Sequence, residues 1–76
     1  MLEHLRALRE DNDLTQNNLA TFLNVNQSTY SDYEHGKINI PISSLIKLAD
    51  YFKTSIDYIV DFTDEIKPYP RKKGKR

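Results

Sequence analysis

The amino-acid sequence predicts an all-α fold, five short helices around a single core. Three observations carry that expectation: apolar residues recur at helical spacing, capping and turn residues punctuate the segments between them, and no run shows a convincing β alternation. A chain of 76 residues is one domain at most, able to bury only about 60% of its unfolded surface. Stability must therefore come from short, well-capped helices.

The first helix is expected over residues 2–11, where Leu2, Leu5 and Leu8 keep helical spacing beside Arg6 and Arg9. The stretch "DNDL" ends it. Thr15 then supplies an N-cap oxygen for a second helix over residues 15–23, with Leu19, Ala20 and Leu23 turned inward. In "NVN", Asn24 is the turn, because its short amide tolerates positive φ; Val25 plugs the corner and Asn26 caps a third helix. Tyr30 and Tyr33 place the inner face of that helix, and Gly36 closes it. Two short helices joined in this way make a helix-turn-helix, whose second element is the one offered to a groove.

Pro41, at the end of "KINIP", is preset for a helix start. The stripe Ile42, Leu45, Ile46, Ala49 and Phe52 predicts a fourth helix, and Ser55 caps a short fifth with Ile56, Ile59 and Val60 toward the core. Beyond Thr63 two prolines and dense charge argue against packed structure. The expected division is a folded domain over residues 1–63 and a flexible basic tail over residues 64–76.

The formal charge of zero conceals an asymmetry. Residues 1–67 hold six Lys/Arg against all eleven Asp/Glu, a net of −5, and the closing "RKKGKR" carries five positive charges. An acidic globule is a poor nonspecific binder of polyanions, so charge alone does not suggest nucleic acid. The absence of cysteine excludes disulfides and thiolate metal sites and fits a reducing cytoplasm. No apolar run reaches the roughly 20 residues of a membrane span, and "MLEHLRALRED" lacks the apolar run of a signal peptide. The expectation is a cytoplasmic protein with no membrane partner.

The pattern "LTQNNLATFLNVNQSTYSDYEHGK…P…LIKLADYFKTSIDYIV" resembles the lambda-repressor and Cro-like helix-turn-helix regulators, the XRE family. The likeness covers residues 2–62. Its pieces are Leu14-Thr15-Gln16, Leu19-Ala20, Ser28-Thr29, Ser31, Tyr33-Glu34, Gly36-Lys37, Pro41, Leu45, Lys47-Leu48-Ala49 and Ser55-Ile56-Asp57. The resemblance implies a compact, five-helix lambda-repressor-like DNA-binding domain that binds operator DNA as a dimer. It further implies that Gln16 anchors a phosphate at the start of the second helix and that Lys37 approaches the backbone. Asn26, Gln27 and Ser28 would open the recognition helix, with Ser31 and Asp32 one turn on. Arg9 and Glu34 match an internal ion pair.

Gln27 is the best single base reader, since its amide can bond adenine N6 and N7 together; the plainer reading is an exposed polar residue in a first turn. Ser28 and Ser31 are weaker candidates, because a hydroxyl suits any base or phosphate. Asp32 departs from the family, which often has Arg or Lys there. Either it selects a C·G pair through the cytosine N4 amine, or it pairs internally with Lys37 or Gln27, or the helix no longer reads DNA. Tyr58, Phe62 and Ile66 fall at i, i+4 and i+8, where the family commonly has Gly near position 61 and this chain has Asp61. A fifth helix that ran on would carry them as a dimerisation stripe, with packing of Phe62 on the first helix as the alternative.

His4 and His35 lack a second ligand at metal-binding spacing, and no nucleophile, base and oxyanion arrangement exists for catalysis. No cofactor, metal or small-molecule ligand is expected. These readings converge on a non-enzymatic, sequence-specific transcriptional regulator: a repressor that binds double-stranded operator DNA at a palindrome as a homodimer. The competing reading is a protein-interaction module, antitoxin-like or regulator-binding, that touches DNA weakly. The tail could follow the DNA backbone or serve only solubility.

Overall fold

The computed structural model describes residues 1–68 and Pro70. Among them the order is α1 (Glu3–Asp11), α2 (Gln16–Leu23), α3 (Gln27–His35), α4 (Ile42–Tyr51) and α5 (Ile56–Ile59), with no strand. The all-α, five-helix architecture is thus the one expected.

Local chemistry sets the helix ends. Thr15 Oγ1 accepts from the Asn18 N–H at 3.0 Å and Asn18 Oδ1 accepts from the Thr15 N–H at 2.8 Å, a reciprocal box that starts α2. Asn24 ends it in the left-handed region at φ 61°. Asn26 Oδ1 accepts from the Thr29 N–H at 2.8 Å and starts α3, and Gly36 ends that helix at φ 74°. Ser55 caps α5 through the Tyr58 N–H.

The core is Leu5, Leu8, Leu19, Ala20, Leu23, Tyr30, Tyr33, Leu48, Ala49 and Ile59, with Leu14, Val25, Leu45, Phe52 and Ile56 packed against it. Two expectations need correction here. The inner face of α4 is Ser44, Leu45, Leu48, Ala49 and Phe52, whereas Ile42 and Ile46 are 66% and 52% exposed. Spacing alone fits both faces; packing against α5 selects the second. Val60, expected inside, is 37% exposed rather than part of the core.

The fifth helix does not run on. It stops at Ile59, and Asp61 adopts φ 64°, the left-handed conformation. Tyr58, Phe62 and Ile66 therefore form no continuous helical stripe. Tyr58 instead stacks on the His4 ring at 3.9 Å between centroids, so the aromatic group covering α1 is Tyr58, while Phe62 is 80% exposed.

The chain beyond Thr63 is also more engaged than its composition suggests. Thr54 Oγ1, fully buried, donates to the Ile66 carbonyl, and Asp64 lies 3.0 Å from His4 Nε2. The basic run 71–76 and Tyr69 fall outside the described residues. Among the described residues, no helix is long and apolar enough to cross a membrane.

Candidate nucleic-acid interface

The site is built outward from one buried carboxylate. Glu34 of α3 is 1% exposed. Arg9 of α1 donates to it twice, Nε to Oε2 at 2.8 Å and Nη2 to Oε1 at 3.2 Å, a fork that matches carboxylate geometry. Tyr30 Oη donates to Oε2 at 2.7 Å, and Gln16 Nε2 of α2 reaches Oε1 at 3.4 Å. Arg9 Nη1 also donates to the Leu14 carbonyl at 3.0 Å. One carboxylate thus ties α1 and the start of α2 to α3, and the expected Arg9–Glu34 pair is present.

Burial alone would raise the Glu34 carboxyl; the Arg9 and Tyr30 hydrogen bonds, the Arg9 charge and the Gln16 amide together outweigh it and hold the group below its ordinary value. The same contacts act in reverse on their donors. The hydrogen bond to Glu34 raises Arg9 against its desolvation, and burial followed by the Glu34 hydrogen bond raises Tyr30. At neutral pH Glu34 and Arg9 are therefore ionised, and Tyr30 is the neutral phenol that donates.

With Tyr30, Tyr33 and Glu34 inward, the other side of α3 is free for a partner. Gln27 is exposed, and its amide has no side-chain partner among the described residues. Asn26 is committed to the cap, and Ser28 Oγ donates to Asn26 Oδ1 at 2.8 Å. The Ser31 carbonyl lies 2.8 Å from His35 Nδ1, with Ser31 Oγ at 3.3 Å.

The Asp32 carboxylate has no hydrogen bond or ion pair among the described residues, which removes from them one of the three alternatives, internal pairing with Lys37 or Gln27. Lys37 meets Asp32 only through the backbone, its N–H donating to the Asp32 carbonyl at 2.9 Å. The Lys37 side chain is exposed in the loop after α3. Gln16, half-buried at the start of α2, spends one amide hydrogen on Glu34 and so supports the network.

Two contacts are not evident from the sequence. His35, which has no metal-ligand partner by spacing, sits exposed on the outward side of α3 with its ring oriented by Ser31. Asp61 was noted as a departure from glycine; its carboxylate accepts from the Glu3 and His4 N–H groups at 2.7 and 2.9 Å and so closes the N-terminus of α1. Helical spacing from Ser28 and Asp32 could have pointed to His35. Nothing local could have pointed to a cap 58 residues away. The described residues contain no group of three or more His, Asp or Glu that could hold a metal.

A helix-turn-helix family model matches residues 5–59, spanning all five helices in whole or part. The chain is 34% identical over 95% of its length to the uncharacterized HTH-type transcriptional regulator YobD of Bacillus subtilis. It is 37% identical over 92% of its length to the HTH-type transcriptional repressor RghR of the same organism. It spans 64% and 58% of those two proteins. No solved structure matches it significantly. With the capped turn, the Arg9–Glu34 pair and the matched span in agreement, the chain belongs to the helix-turn-helix family, as one of its lambda-repressor and Cro-like, or XRE-like, members.

Proposed function

We propose that this protein is a sequence-specific DNA-binding transcriptional regulator, acting as a repressor by occupying a palindromic operator as a homodimer. The observation that carries the reading is the outward face of α3. It presents polar groups without internal partners, Gln27 and Asp32 among them, on a helix held from behind by the Glu34 network. A helix of nine residues, about 13 Å long, suits insertion in a major groove.

In this arrangement Gln27, Ser28, Ser31 and Asp32 face bases and Asn26 holds the helix start, while Gln16 and Lys37 approach phosphates. Repression is suggested by the name of RghR. The dimer follows from operator geometry, since two half-sites one helical turn apart require a twofold protein. Of the Tyr58, Phe62 and Ile66 set, Phe62 and Ile66 are exposed and available to it, whereas Tyr58 is already stacked on His4.

Selection of bound duplexes from a random pool at near-physiological salt, with the full chain, tests the reading. Enrichment of a palindrome with half-sites about one turn apart is expected. If no sequence is enriched and weak binding vanishes with salt, the acidic surface of the globule favours a protein partner instead.

A further inference from the structure

Ser28, Asp32 and His35 lie at i, i+4 and i+7 on α3, opposite the inward Tyr30, Tyr33 and Glu34. Their chemistry has one sign. The Ser28 hydroxyl donates its hydrogen bond to Asn26 Oδ1, which leaves its lone pairs for an outside donor. The Asp32 carboxylate is an acceptor with no partner among the described residues. His35 Nδ1 faces the Ser31 carbonyl, which can only accept, so in the neutral ring Nδ1 carries the proton and Nε2 is an acceptor. No Lys or Arg occurs anywhere on α3.

In the major groove the donors are the cytosine N4 and adenine N6 amines, whereas guanine offers its O6 and N7 acceptors and thymine its O4 acceptor. A stripe of acceptors therefore favours amine-bearing edges and is repelled by the rest. Adenine sets its N7 lone pair beside N6, where it opposes a carboxylate; cytosine presents N4 without that neighbour. Resting on the proposed operator-binding function, we propose that Asp32, flanked by Ser28 and His35, is a specificity-determining residue that selects cytosine at the base pair beneath the middle of α3 and discriminates against guanine and thymine edges there.

The test compares selected duplexes for the wild-type chain, Asp32→Asn, Asp32→Ala and His35→Leu. Circular dichroism is expected to show unchanged helix content, because the altered groups point away from the core. The wild type is expected to enrich a half-site with one position fixed as cytosine. Asp32→Asn should move that position toward adenine, whose N6 and N7 an amide bonds together, and Asp32→Ala should flatten preference there by at least about five-fold, with the other positions retained. His35→Leu should relax the neighbouring base pair and leave the cytosine in place.

A wild-type motif that persists unchanged in both Asp32 variants, with affinity raised alike for every duplex, overturns this inference and leaves operator binding standing, because Asp32 would then act only as a repulsive charge. Absence of any wild-type motif overturns operator reading itself.

Discussion

Glu34 accepts from Arg9 of α1, Tyr30 of its own helix and Gln16 of α2, and its side chain is closed off from solvent. Removing one partner of such a pair leaves the other desolvated without compensation, a loss of about 3–5 kcal/mol. A domain of this length has only about 4–11 kcal/mol in total. Glu34→Gln should therefore unfold at much lower urea, and Tyr30→Phe should cost a smaller amount, about 1–3 kcal/mol. The pH dependence has a definite sign. The folded carboxyl lies below its ordinary value of 4.5, so its contribution is complete above that pH and is lost as pH falls through the lower folded value. The stability gap between wild type and Glu34→Gln, read by urea unfolding from pH 6 to 3, should narrow at the acid end; a constant gap would mean that the carboxyl is not depressed.

At the scale of elements, the junction of α1 and α5 depends on Asp61. Its carboxylate caps α1 from the far end of the chain, and its backbone sits at φ 64°. Two effects oppose each other there. The cap contributes about 1 kcal/mol, and a residue with a Cβ in the left-handed region costs about 1–2 kcal/mol, less for Asp than for Ala. Asp61→Ala loses the cap and gains strain, and should lower the thermal midpoint by about 8–16 °C. Asp61→Gly loses the cap but relieves strain, so its midpoint should lie close to wild type. If Ala and Gly were equally destabilising, backbone strain at this position would be negligible. The same residue explains why α5 is so short: a left-handed residue ends a helix.

For the whole molecule, the separation of charge makes a prediction about DNA binding. The last six residues carry five positive charges and the preceding 70 residues are net −5. If those cations meet phosphates, removing residues 71–76 should flatten the dependence of log affinity on log salt by up to about 4.5 units, at roughly 0.9 per phosphate contact. Binding titrations over a range of salt, on selected and on random duplexes, would show this. Preference between the two duplexes should survive truncation, because base reading belongs to α3; its disappearance would make the tail part of the reader.

Helix order and most helix ends were legible in the sequence because they are local. Thr15, Asn26 and Ser55 cap through amides three residues ahead, and Asn24 and Gly36 relieve a backbone conformation at their own positions. The Arg9–Glu34 pair was legible only through family likeness, since 25 residues separate the partners. Tertiary packing decided the rest. It chose the Leu45, Leu48, Ala49 and Phe52 face of α4 over an equally periodic alternative, because only a neighbouring element can distinguish two stripes that share residues. It brought Asp61 to the amides of α1 and Tyr58 onto His4, contacts whose partners lie more than 50 residues apart. It also left Asp32 without the Lys37 partner that proximity in sequence suggested, since a side chain's direction is set by the helix and loop that carry it.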